Sequence, residues 1–129
     1  IVVFYATHYS HDQDIAANKS YVAAFRNEYV GRYPSLYAAQ AYDVIMAMDA
    51  AVKATGGKVS DKEALTKAIA KAQFPSVRGN FRYANNHFPV QNFYLRSIGK
   101  NAEGRVTNKT IRTVLENYGD AYAAQCKLK

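Results

Sequence analysis

The chain has 129 residues, a hydrophobic fraction of 49% and a charged fraction of 21%, which is typical of one globular domain and excludes a disordered segment. No apolar run approaches the roughly 18 residues that a membrane-spanning helix needs. The net charge is +7, but the 17 Lys and Arg residues are dispersed and interleaved with acids. A nucleic-acid surface clusters its basic residues, so the charge is weak evidence for nucleic-acid binding.

The first predicted element is a β-strand. Residues 1–5 are an unbroken apolar run typical of a buried strand, and a chain that begins inside a strand is expected to belong to something longer. The polar stretch 8–14 follows and contains turn-forming residues, so we expect a solvated loop there.

Two long helices are predicted next. Apolar residues recur at helical spacing over 15–30, and Gly31 stands where a left-handed cap commonly ends a helix. Ser35 can cap a second helix over 36–55. Its apolar residues are so dense that we expect it to be nearly surrounded by other parts of the protein.

A third helix is predicted over 61–72. Ser60 and Glu63 have the spacing of a capping box, in which the two side chains satisfy free N–H groups at the start of the helix.

The periodicity then changes to that of strands. Residues 80–83 alternate polar and aromatic side chains and lead into the turn 84–87, which predicts a short hairpin. Further strands are predicted over 90–98 and 110–115, before a polar and aromatic tail with some helical potential. The order β–α–α–α–β–β–β indicates an α/β unit. It has too few strands to cover its helices, so its core should be incomplete.

Candidate catalytic and metal-binding residues are few. His8, His11, Asp12 and Asp14 could ligate zinc, but no further residue completes a closed site, so we predict no metal and no cofactor. Catalytic motifs are absent, so we predict no enzyme. Asp43 and Asp49 are six residues apart and therefore on different faces of the second helix, where surface roles are expected.

Tyr37 and Cys126 each allow two interpretations. Tyr37 lies in the first turn of the second helix, beside N–H groups that attract anions, and could cover a ligand with a carboxylate and an apolar body. Ordinary packing is the alternative, and the sequence alone favours it. Cys126 is either a tail thiol or half of a disulfide with another part of a longer exported protein.

The order of several segments resembles the C-terminal third of branched-chain amino acid ABC transporter substrate-binding proteins, which have the type I periplasmic binding fold. The segments are 21–25, 33–35, 41–44, 50–57, 78–83, 86–95 and 120–126. The similarity covers essentially all 129 residues, and its specificity comes from the ordered set rather than from one motif.

The resemblance implies a partial fold, with three helices and strands taken from two α/β lobes. Residues 1–7 and about 92–129 would belong to the second lobe and the hinge, and residues from about 12 to 90 to the first lobe. Tyr37 corresponds to an aromatic ligand contact of the family. His8 and Tyr9 would lie near the mouth of the cleft, so the three form the expected ligand-binding set.

The implied function is non-catalytic capture of a solute in the periplasm. The solute would be a branched-chain or aromatic amino acid or a related small carboxylate, passed to the membrane permease of an ABC transporter. The chain would need the N-terminal part of the same protein to bind it, and no nucleic acid is expected. The alternative is a small basic interaction domain that binds nucleic acid through exposed aromatic residues, which a contiguous basic face would favour.

Overall fold

The structure is a computed structural model that describes residues 3–127. Within these residues, three helices and four strands follow the predicted order, and the α/β class is confirmed. The elements are β1 Phe4–Thr7, α1 Ala16–Glu28, α2 Leu36–Ala54, α3 Lys62–Ala70, β2 Arg82–Tyr83, β3 Pro89–Lys100, β4 Val106–Tyr118 and a short 3₁₀ helix Ala123–Gln125.

The sheet is built around β3, which pairs antiparallel with each of the other strands. β2 and β3 form the predicted hairpin, with Arg82 opposite Val90. β4 is longer than the predicted 110–115 because its pairing with β3 continues to Val106 opposite Lys100. Gly104, at φ +75°, allows the tight turn between these two strands.

A strand lies in this region as expected, but its described residues are not buried. The first strand is Phe4–Thr7, and residues 1 and 2 lie outside the described residues. Exposure alternates along β1, and Phe4 is 60% exposed. Among the described strands, β1 pairs only with β3, so its other edge pairs with no described strand.

The expectation that α2 is nearly surrounded is also wrong for the described chain. Ala47 and Ala51 are buried, whereas Val44, Ile45 and Met48 on the other side are exposed. The described residues therefore cover one face of α2 and leave an apolar face open.

The helix caps are partly as predicted. Ser35 caps α2 by accepting a hydrogen bond from the Ala38 N–H at 3.2 Å. The capping box from Ser60 is wrong, because the N-cap of α3 is Asp61, which accepts from the Ala64 N–H at 3.0 Å. A carboxylate directly before the first helical residue fills that position instead of the serine.

A buried polar network joins α2 to the segment before β2 and to β3. The Asp43 carboxylate is 1% exposed and accepts hydrogen bonds from Ser76 Oγ at 2.7 Å, the Val77 N–H at 3.1 Å and Arg78 Nε at 2.7 Å. Arg78 also donates from Nη1 to Gln91 Oε1 at 3.0 Å. Each charge is thus paired and hydrogen-bonded, as burial requires.

The expected surface role is therefore wrong for Asp43 and right for Asp49. The Asp49 carboxylate is half-exposed and forms an i,i+4 pair with Lys53 at 2.6 Å. The spacing of six does put the two carboxylates on different faces, but the face that carries Asp43 is buried.

The segment 8–14 is not the solvated loop that its polarity indicates. Tyr9, Ser10 and Gln13 are buried. Asn18, at the start of α1, is completely buried, and its amide donates to the carbonyls of His11 and Gln13 at 3.1 Å each. These bonds satisfy loop carbonyls that would otherwise lack a partner.

A second buried cation fixes the same segment to the sheet. Arg96 of β3 is 0% exposed and pairs through Nη1 with Asp12 at 3.2 Å. Asp12 also accepts from the Thr110 N–H at 2.6 Å and the Thr110 hydroxyl at 2.8 Å. The Arg96 guanidinium lies 5.2 Å from the centre of the Tyr94 ring.

Among residues 3–127, no helix combines the length and the apolar character that crossing a bilayer would require.

Cys126 follows the 3₁₀ helix as a partly buried free thiol. Both interpretations of this cysteine stay predictions.

We predict that Asp43→Ala lowers the free energy of unfolding by about 3–5 kcal/mol, because it leaves the Arg78 cation buried without its partner. Asp49→Ala, on the same helix, is the matched control and should cost no more than about 0.5 kcal/mol. Urea denaturation of both variants measures the difference, and equal losses would contradict the assignment.

Candidate functional site

The candidate site lies where the chain leaves β1 and passes the start of α2. His8 directly follows β1, and its Nε2 atom is 3.2 Å from Gln40 Nε2 of α2. The Phe93 ring of β3 meets the His8 ring edge-on, at 5.9 Å between centroids. Tyr37 precedes Gln40 by three residues and so lies on the same side of the helix.

A cavity of about 450 Å³ opens beside His8. Its walls come from α2, the start of β3 and the segment after β4. Its aromatic lining residues are Phe88, Phe93, Tyr118 and Tyr122, and its polar lining residues are His8, Gln40, Gln91 and Asp120. Phe93 and Tyr118 meet edge-on at 5.9 Å, which gives the cavity an aromatic wall.

His8 is neutral at pH 7. Burial, and then the positive charges of Arg78 and Arg96, lower its pKa from the usual 6.5 to about 4, against a smaller opposing effect of Asp43. A neutral imidazole has one N–H donor and one acceptor nitrogen. The ring can therefore exchange one hydrogen bond with Gln40 and offer the other nitrogen to a ligand.

Tyr37 is 77% exposed and does not belong to the buried core of the described residues. It lies in the first turn of α2, where backbone N–H groups lack intrahelical partners and attract anions. Its expected contact with a ligand stays a prediction.

Tyr9 points in a different direction from His8. It is 3% exposed and packs in the core with Tyr21, Ala39 and Val77. Burial is the main cause that raises its pKa. It does not line the cavity beside His8, and its expected ligand contact likewise stays a prediction.

The two histidines of the 8–14 segment are held apart. His11 stacks on Tyr33 at 3.9 Å between ring centroids, and its Nε2 lies 3.0 Å from the Thr107 hydroxyl. Within residues 3–127, no three or more His, Cys, Asp or Glu side chains are grouped so that they could hold a metal ion.

Sequence reasoning missed Gln40, Phe93 and Tyr118 as lining residues. Gln40 carried a usable signal, because it is a polar residue one helical turn after Tyr37 in an otherwise apolar stretch. Phe93 and Tyr118 carried none, since only the pairing of β3 with β4 brings them together.

We predict that the depressed pKa of His8 makes stability depend on pH. Because its pKa in the folded state lies below the unfolded value, the unfolded chain takes up the proton first as pH falls. His8 therefore leaves the free energy of unfolding unchanged above pH 6.5. Between pH 6.5 and pH 4 it lowers that free energy by about 1–3 kcal/mol, after allowance for partial exposure.

Unfolding measured at pH 7 and at pH 4.5 tests this, with His8→Gln expected to lose less stability than the unmodified protein. His87→Asn, at an exposed histidine in a left-handed turn conformation, is the control and should behave like the unmodified protein. An identical pH dependence in His8→Gln would contradict the prediction.

The chain is similar in structure to several solute-binding proteins. One from R. palustris, solved in complex with benzoate, is 36% identical with a TM-score of 0.86, covering 98% of this chain and 33% of that one. An ABC transporter substrate-binding protein from Sphaerobacter thermophilus is 25% identical, with a TM-score of 0.82 and coverage of 89% and 31%. Another from R. palustris, in complex with 4-hydroxybenzoate, is 26% identical, with a TM-score of 0.76 and coverage of 92% and 32%.

The chain thus spans about a third of the length of the solved structures that it matches. These proteins are solute-binding or substrate-binding proteins of ABC transporters. No curated protein matches the chain in sequence. The family model for periplasmic binding proteins matches residues 2–105. Together with the structural likeness, this match means that the chain belongs to the periplasmic binding protein family.

Proposed function

We propose that this chain is the C-terminal third of a periplasmic protein that captures small aromatic carboxylates for an ABC transporter. The observation that carries the proposal is the 36% identity, over 98% of the chain, to a protein that was solved with benzoate. The likeness to a protein solved with 4-hydroxybenzoate supports the same solute class. Branched-chain and aromatic amino acids are the competing solutes within the family.

The cavity beside His8 suits the ring of such a solute. The edges and faces of Phe93 and Tyr118 favour contact with another aromatic ring. His8 is neutral, so its contact with that ring would bury no further charge. Gln40 and His8 can each give one hydrogen bond to a ring substituent.

The carboxylate of the solute needs positive potential, which the start of α2 supplies. The positive end of the helix dipole lies in the same turn as Tyr37, where Ser35 already caps the Ala38 N–H. A tyrosine that is 77% exposed in this turn can cover the apolar body of a solute whose carboxylate faces the helix. The remaining contacts come from the N-terminal part of the protein.

The proposed organisation divides the chain between two lobes. Residues 1–7 and about 92–129 belong to the second lobe and the hinge, and residues from about 12 to 90 to the first lobe. The pairing of β3 with β1 and with β4, separate from the packing of α2 on α3, fits this division. Closure of the lobes over the solute in the periplasm would present a surface to the membrane permease.

We predict that the complete protein binds benzoate or 4-hydroxybenzoate at least tenfold more tightly than leucine, while the 129-residue chain alone binds none of them measurably. One third of the protein cannot bury a solute on all sides. Calorimetry on both proteins measures this. Tighter binding of leucine would contradict the solute class, and micromolar binding by the isolated chain would contradict the two-lobe site.

We predict that Tyr37→Ala weakens binding of the preferred aromatic carboxylate by about 1–3 kcal/mol, the scale of a buried aromatic anchor. Tyr29→Ala removes a tyrosine that is 53% exposed at the C-terminal end of α1, and it should leave the affinity unchanged. Calorimetry and thermal denaturation are run on both variants. Unchanged affinity with a large loss of melting temperature would mean that Tyr37 packs in the core of the complete protein.

A further inference from the structure

The charge of the cavity beside His8 is one-sided. Among the described residues that line it, none is Lys or Arg, His8 is neutral, and Asp120 is the one acidic residue. Two hydrogen bonds hold the Asp120 carboxylate in place, from Asn86 Nδ2 at 2.7 Å and from the Tyr122 N–H at 3.0 Å. A carboxylate that entered this cavity would therefore meet a like charge and no cationic side chain.

His8 and Gln40 form a polar pair with free hydrogen-bonding capacity. An amide nitrogen only donates, so His8 Nε2 accepts from Gln40 Nε2 at 3.2 Å, and the N–H of the neutral ring is at Nδ1. Gln40 Oε1 and His8 Nδ1 bond to no other described residue, and neither atom is fully buried. With the amide turned over, the two roles exchange, but the pair still keeps one donor and one acceptor.

The other polar lining residues are already engaged. Gln91 is 4% exposed, and its Oε1 accepts from Arg78 Nη1 at 3.0 Å. Each Asp120 oxygen accepts one bond from its own neighbours. The free donor and acceptor of His8 and Gln40 match a hydroxyl group, which can accept one hydrogen bond and donate one.

We propose that the His8 cavity recognises the end of the solute opposite its carboxylate and selects a ring with a hydroxyl in the para position. The hydroxyl binds between His8 and Gln40, and Asp120 excludes a second carboxylate. This inference rests on the proposed function, because it takes the carboxylate of the solute to lie at the start of α2.

The length of the helix fixes which isomer fits. Gln40 lies four residues after Leu36, the first residue of α2, which is a rise of about 6 Å along the helix axis. A benzene ring separates a carboxyl group from a para hydroxyl by a similar distance, whereas an ortho hydroxyl stays beside the carboxyl group. The ring between the two ends would contact the aromatic wall at Phe93 and Tyr118.

The test is calorimetry on the complete protein at neutral pH with 4-hydroxybenzoate, 2-hydroxybenzoate, benzoate and the para dicarboxylate terephthalate. We expect 4-hydroxybenzoate to bind about tenfold more tightly than benzoate, which is the effect of one net hydrogen bond. The ortho isomer should bind no more tightly than benzoate. Terephthalate should bind about tenfold more weakly than benzoate, because its second carboxylate meets Asp120.

Three variants assign these preferences to the cavity. Gln40→Met removes the amide with little change in volume, and it should bring the affinities for 4-hydroxybenzoate and benzoate within about threefold of each other. Gln73→Met, at an exposed glutamine outside the cavity, is the control and should keep the tenfold ratio. Asp120→Asn should raise the affinity for terephthalate about tenfold relative to benzoate.

The comparison of solutes uses the unmodified protein, so it does not depend on the folding of any variant. Equal affinity for 4-hydroxybenzoate and benzoate, a para preference that persists in Gln40→Met, or tight binding of terephthalate would overturn this inference and leave the proposed function intact. If none of the four solutes binds, the proposed function fails, and this inference fails with it.

Discussion

The buried ion pair between Asp43 and Arg78 is the interaction on which the arrangement of this chain depends. It holds the middle of α2 against the segment before β2, and the further bond from Arg78 to Gln91 extends the link to the start of β3. Two buried charges carry a large desolvation cost, which is offset here because the Asp43 carboxylate also accepts from Ser76 and the Val77 N–H. The pair therefore fixes one geometry between a helix and a strand that are distant in sequence.

That geometry sets the chemistry of the neighbouring site. The position of α2 puts Gln40 against His8, and the position of β3 puts Phe93 against the same ring. The Arg78 charge adds to burial in keeping His8 neutral. The result is a cavity with aromatic walls, whose polar lining residues are His8, Gln40, Gln91 and Asp120. The aromatic walls suit contact with a flat apolar ring.

The elements of the fold could be predicted from the sequence because their signals are local. Apolar spacing located the three helices, and alternation followed by turn residues located the hairpin. The wrong N-cap of α3 is a local failure, whereas the two missed buried ion pairs join distant positions. Asp43 pairs with Arg78, which lies 35 residues later in the chain, and Asp12 pairs with Arg96, which lies 84 residues later. The local sequence therefore could not predict the buried carboxylate on α2 or the burial of segment 8–14. A lone carboxylate within an apolar stretch of α2 was the one available sign of a buried cation partner.

Only the part of the site that lies at the start of α2, or that the family resemblance implies, could be predicted from the sequence. The most direct measurement is a crystal structure of the complete protein with bound 4-hydroxybenzoate. We expect the ring of the solute to contact Tyr37 or the aromatic wall at Phe93, with its carboxylate facing a helix start. A solute bound with no contact to any residue of this chain would contradict it.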